Sequence, residues 1–170
     1  MQRLTLGILL MFFFFALSVH GQKNFDNYLT FPPFESGYSR QTRADQIVYE
    51  NYTQNNQIQQ RWQILGVRPL PANGKLTFSD AWKSVFPEYP AEAAIPRYRR
   101  LYTDQSIQYF AGGIKMDPVD GLGYSWLAAI PVSDKLWQPV VIWAIDEKTA
   151  RPLTYTWIEQ LQGVKIRGIK

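Results

Sequence analysis

From Thr42 to Leu65 the chain carries neither glycine nor proline, and Ala44, Ile47, Val48, Tyr52, Ile58, Trp62 and Leu65 recur at close to helical spacing. That periodicity predicts one long amphipathic helix, with Thr42 placed to cap it and Gly66 to stop it. The apolar stripe lapses over Gln54 to Gln57, where a break or kink is expected. A connector rich in turn residues follows at Pro69 to Gly74. Ser79 then opens a short helix over Asp80 to Phe86, closed by Pro87 and Pro90. After Arg97 the pattern changes to strands. Leu101, Thr103, Ile107 and Tyr109 alternate imperfectly across Arg100 to Phe110, Ser125 to Val132 reads as an apolar, half-buried strand, and Gly112-Gly113 and Asp117 to Gly123 supply turns.

Near the carboxyl end, "PVVIWAIDEKTARPLTYTW" reads as two strands around a loop from Glu147 to Arg151. In such a hairpin Ile145 faces Leu153, Trp143 faces Tyr155 and Val141 faces Trp157 on one side of the sheet. Ile142 with Thr156 and Ala144 with Thr154 form the more polar side, as a sheet packed on one face requires. The expected fold class is therefore α+β, with one long and one short helix packed on an antiparallel sheet of about four to six strands. That order of elements resembles the helix-on-curved-sheet folds of the cystatin or NTF2-like kind, a resemblance that implies architecture and no function.

The amino terminus has a different character. Arg3 precedes an apolar run from Leu4 to Val19, and Val19-His20-Gly21 suits signal-peptidase cleavage. Residues 1–21 are therefore expected to be a removable signal, shorter than the roughly 20 apolar residues a spanning helix needs. Retention of that signal is the one membrane attachment expected. Residues 22–41 form an extended arm rich in proline and aromatics, because Pro32-Pro33 forbids regular helix or central strand. Residues 42–170 form a single domain without internal repeats. The chain has no cysteine, which favours export to a bacterial periplasm or cell surface over an animal extracellular setting. Asn51-Tyr52-Thr53 matches the pattern of an N-glycosylation acceptor.

Loss of the signal would take Arg3 and the only histidine, His20, leaving a formal charge of +3 against +4 for the whole chain. So small an excess does not point to nucleic acid, although Arg97-Tyr98-Arg99-Arg100 places Arg97 and Arg99 beside aromatic neighbours as a candidate anion contact. A mature chain without His or Cys loses the usual general base, the thiol nucleophile and nearly every transition-metal site, so no cofactor and no metal are expected. Carboxylate chemistry survives. Asp117 with Asp120, Asp146 with Glu147, and Asp104 or Glu159 from strands are the acids a glycoside hydrolase would need.

All six Trp and all ten Tyr follow the signal, more ring surface than one core of this size ordinarily uses. The primary expectation is a non-catalytic binding or assembly protein of the cell envelope. It would engage a protein partner through the arm and exposed rings, with Phe31, Phe34, Tyr38, Arg97, Arg99 and Trp137 as binding residues. A carbohydrate- or peptidoglycan-binding module with rings stacked on sugar is the alternative, and a carboxylate-based glycoside hydrolase the second.

Overall fold

The computed structural model describes residues 26–89, 95–102, 107–115 and 123–167, the second and third of these ranges by their main chain. The signal expected at 1–21, Asp104, Asp117 and Asp120 lie outside the described residues. The fold is α+β and antiparallel, as expected, but its elements fall in a different order. A short β1 (Leu29–Thr30) leads into β2 (Tyr38–Thr42), β3 (Gln46–Tyr52), β4 (Ile58–Leu65) and β5 (Arg68–Pro69). Helix α1 (Phe78–Val85) connects these to β6 (Ile95–Tyr102), β7 (Ile107–Lys115), β8 (Tyr124–Pro131) and β9 (Leu136–Ala144); α2 (Glu147–Gln162) and β10 (Lys165–Ile166) follow.

One sheet of eight strands runs in the order β2-β3-β4-β9-β8-β7-β6, with β5 continuing the β4 side of β9. Two meanders, β2 to β4 and β6 to β9, meet where β4 pairs with β9 from Gln60↔Ala144 to Ile64↔Val140. Beyond that point the β5–β9 pairing, Arg68↔Trp137, is out of step by one residue, so Gly66 sits in a bulge between strands rather than at the end of a helix.

The long helix expected over Thr42 to Leu65 is therefore a correction: the segment is the β3–β4 hairpin, and the long helix comes after β9, so the cystatin or NTF2-like order of elements does not hold. The lapse at Gln54 to Gln57 is its turn. Thr53 N donates to Gln57 O and Asn56 N to Thr53 O. Asn56 adopts φ +60°, a conformation Asn tolerates better than most residues. Gln60, Trp62 and Ile64 point inward at two-residue spacing, which is strand periodicity.

The C-terminal hairpin is likewise overturned in its second half. Its first strand is β9, but Val141 lies between Gln63 of β4 and Leu127 of β8, and Trp143 between Arg61 and Ser125. The residues after Asp146 form α2. Asp146 caps it, its carboxylate accepting from Thr149 N at 2.6 Å. Ala150, Leu153, Trp157, Leu161 and Val164 then line up on the side facing the sheet, at the spacing of one helical face. Pro152 stands inside α2 and gives up one main-chain hydrogen bond there. The short helix is present, but its cap is Thr77 rather than Ser79: Thr77 Oγ1 accepts from Asp80 N, and the Asp80 carboxylate accepts from the Thr77 hydroxyl at 2.6 Å. Gly112 and Gly113 are not a turn; they lie within β7, opposite Pro96 and Ile95. Asn73-Gly74 is a turn, with Gly74 at φ +68° and its N–H donating to Pro71 O.

Both faces of the central strands are covered. On one, the arm and α2 pack over Ile47, Trp62, Ile64, Trp126, Ile130 and Ile142. On the other, α1 lays Ala81, Trp82 and Phe86 over Leu127, Ala129, Trp137 and Val141. Strand β8 is accordingly buried on both faces rather than on one, because it is central and each face has its own helix.

Candidate functional site

The arm follows an extended course, but its rings face inward. Leu29 is buried, and β1 pairs with β10 through Leu29↔Ile166 and Thr30↔Lys165. Arg167 N donates to Tyr28 O at 2.7 Å, Arg167 Nε to Thr30 Oγ1 at 2.9 Å, and Gln160 Nε2 to Pro32 O at 2.9 Å. Phe31 and Phe34 meet Trp62 edge-on, with ring centroids 6.0 and 5.3 Å away. Phe34 also stacks on Tyr49 at 4.2 Å. Such pairs contribute about 0.5–1.5 kcal/mol each beyond the area they bury. The structure thus brings Phe31, Phe34 and Tyr38 together, as core-facing groups rather than as a free aromatic surface.

Three buried polar side chains weld these parts. Gln60 Oε1 accepts from Tyr38 Oη at 2.8 Å and from Trp157 Nε1 at 3.0 Å, tying β2 and α2 to the centre of the sheet. Burial pushes the Tyr38 hydroxyl up to about 12, against the opposing influence of the Trp62 indole. Gln138, fully buried beside the bulge, donates to Leu65 O at 2.9 Å and accepts from Tyr28 N at 3.1 Å. Glu50 is buried with one oxygen 2.6 Å from Arg61 Nε and the other 2.6 Å from Tyr52 Oη. The hydrogen bond to Glu50 raises the Tyr52 hydroxyl above its ordinary value. Buried polar groups satisfied in this way fix one arrangement of the strands around them.

The exposed element of this region is the main chain of β2. It pairs with β3 from Tyr38↔Asn51 to Thr42↔Ile47, and among the described residues nothing pairs with its other side. Ser39, Arg40, Gln41 and Thr42 are all exposed. In an antiparallel ladder, residue pairs that exchange hydrogen bonds alternate with pairs that do not. Arg43 N donates to Gln46 O at 2.8 Å, which fixes the phase of that alternation. Gln41/Val48 and Ser39/Glu50 are bonded pairs, and the main-chain groups of Tyr38, Arg40 and Thr42 point away from β3. No pattern of residues marks this edge, because Thr42 reads as a helix cap and Ser39 to Gln41 before it are polar.

The other expected residues lie apart from β2. Trp137 is buried, its indole N–H donating to Pro69 O at 3.2 Å, so it offers no ring face to a ligand. Arg97 and Arg99 lie on β6, the opposite edge of the sheet; Arg99 pairs with Phe110, and the register shifts at Arg97. Trp62, Trp82, Trp126 and Trp157 are buried as well, and Trp143 is half-buried against Phe86. Among the acids, Asp146 is used as a helix cap, which holds its carboxyl below the ordinary range through the Thr149 N–H. Glu159 is on α2 rather than on a strand. Among the described residues no three His, Cys, Asp or Glu side chains gather where they could hold a metal ion. Comparison with protein families, with curated proteins and with solved structures returns no match.

Proposed function

We propose that this chain is a non-catalytic binding or assembly protein of the bacterial envelope, acting in the periplasm or at the cell surface. It engages a protein partner by accepting an extended segment along β2. The observation that carries this reading is the exposed strand edge: Tyr38, Arg40 and Thr42 present outward main-chain donors and acceptors on a strand held from behind by Gln60 and the Glu50–Arg61 pair. Strand addition to such an edge draws its affinity from main-chain hydrogen bonds. The aromatic arm supports the edge instead of meeting the partner itself. A glycan platform is less well supported, since five of the tryptophans are buried.

A proline scan of β2 tests this. Arg40→Pro removes an outward N–H that the β2–β3 ladder does not use, so the domain stays folded by circular dichroism. Photo-crosslinking from β2 in native envelopes should capture a protein partner with the wild type, and Arg40→Pro should abolish that capture. Crosslinks that survive Arg40→Pro unchanged would overturn the reading.

A further inference from the structure

We infer that the segment added to β2 is acidic, with a carboxylate placed opposite Arg40. This rests on the strand-addition reading and goes beyond it by naming the chemistry of the partner. Arg40 is the central outward-facing residue of β2, and its side chain is exposed. Arg43, exposed at the end of the strand, adds a second cation, with its guanidinium near Gln41 Oε1 at 3.4 Å. The nearby anions are Glu35 in the arm and Asp45 in the β2–β3 turn, both off the strand. Glu50, the acidic residue of the neighbouring strand, is buried and already engaged by Arg61 and Tyr52. The edge itself therefore presents positive charge along the line where a new strand would lie.

The same geometry argues against a second copy of this chain as the occupant. Two β2 strands related by a two-fold axis, in the antiparallel register centred on the outward-facing residues, place Arg40 directly opposite Arg40. Like charges directly opposite each other across a ladder destabilise it, and opposite charges favour it. A lone cation in mid-edge thus disfavours self-association and rewards a partner strand that brings the complementary charge.

The test uses the folded chain from Gln22 onward and two fluorescein-labelled heptapeptides of alternating valine and threonine, one with glutamate at its centre and the other with lysine. Fluorescence anisotropy at low salt should show the glutamate peptide binding about five- to tenfold more tightly, as expected for one attractive against one repulsive cross-strand pair. Arg40→Glu should invert that preference, and Arg40→Pro should weaken both peptides. Equal binding of the two peptides, or a preference unchanged in Arg40→Glu, would overturn the acidic assignment while leaving strand addition intact. Binding indifferent to Arg40→Pro would overturn both. If neither peptide binds while the native crosslinks still require β2, the acidic assignment falls and the strand-addition reading stands.

Discussion

Replacing Gln138 by methionine keeps the length and nearly the volume of the side chain but removes both of its hydrogen bonds. The Leu65 carbonyl then stays in the bulge without its 2.9 Å donor, and the Tyr28 amide loses its 3.1 Å acceptor. An orphaned buried group costs about 1–3 kcal/mol. Both sites are only partly buried, so each cost falls in the lower part of that range, and the pair together should destabilise the fold by about 2–4 kcal/mol. At roughly 2–4 °C per kcal/mol for a chain of this size, the melting temperature should fall by about 5–15 °C. The loss should also have a location. The amide at Tyr28 anchors β1, and β1 anchors β10, so hydrogen exchange should accelerate first at residues 28–30 and 165–167 and only later in β8 and β9. Urea unfolding read by tryptophan fluorescence, with exchange followed by mass spectrometry, measures both. A loss below about 0.5 kcal/mol, within the range of an ordinary surface change, would refute the role given to Gln138. So would exchange that quickens uniformly.

Two further outcomes follow from the same packing. Gly163 has an ordinary φ of −79°, but a Cβ there would lie 2.4 Å from Pro32 Cγ. Gly163→Ala should therefore cost about 1–3 kcal/mol by forcing arm and helix apart, which calorimetry would detect; an unchanged melting temperature would mean the arm yields freely. Tyr38 ionises near pH 12 when folded and near 10 when unfolded. Its contribution is complete below pH 10 and is lost as the pH rises toward 12, because the unfolded chain releases that proton first. Alkaline titration of phenolate absorbance should show a tyrosine ionising near pH 12 whose signal is lost in Tyr38→Phe, and the variant should lose less stability over that interval.

The fold class was readable because long apolar runs survive in β8 and β9, and because Pro87 closes a short amphipathic helix whose start the sequence places two residues late, at Ser79 instead of Thr77. The β3–β4 hairpin was hidden by its own polar core. Glu50 and Gln60 occupy inward positions, and counting them as surface erases the two-residue period and leaves helix-like spacings among the remaining apolar residues. Helix α2 was hidden by local preference. Pro152, Thr154, Thr156 and Ile158 all disfavour helix, and only the stripe from Ala150 to Val164, together with the Asp146 cap, supports it. Tertiary contacts decided the matter: Trp157 gains an edge-on partner in Trp126 at 5.2 Å and a hydrogen bond to Gln60. The candidate edge was not legible at all, since an exposed strand of polar residues differs from a loop only in what pairs with it.

The pairing of β1 with β10 also imposes a schedule. Thr30 and Arg167 are 137 positions apart, so the opening segment has no mate until nearly the whole chain has emerged. A contact of such long range is slow to close. A chain released in order from its amino end would therefore keep Leu29 without its β10 cover through most of its emergence, even after Phe31 and Phe34 have met Tyr49 and Trp62, and that is the interval in which a holdase would have something to grip.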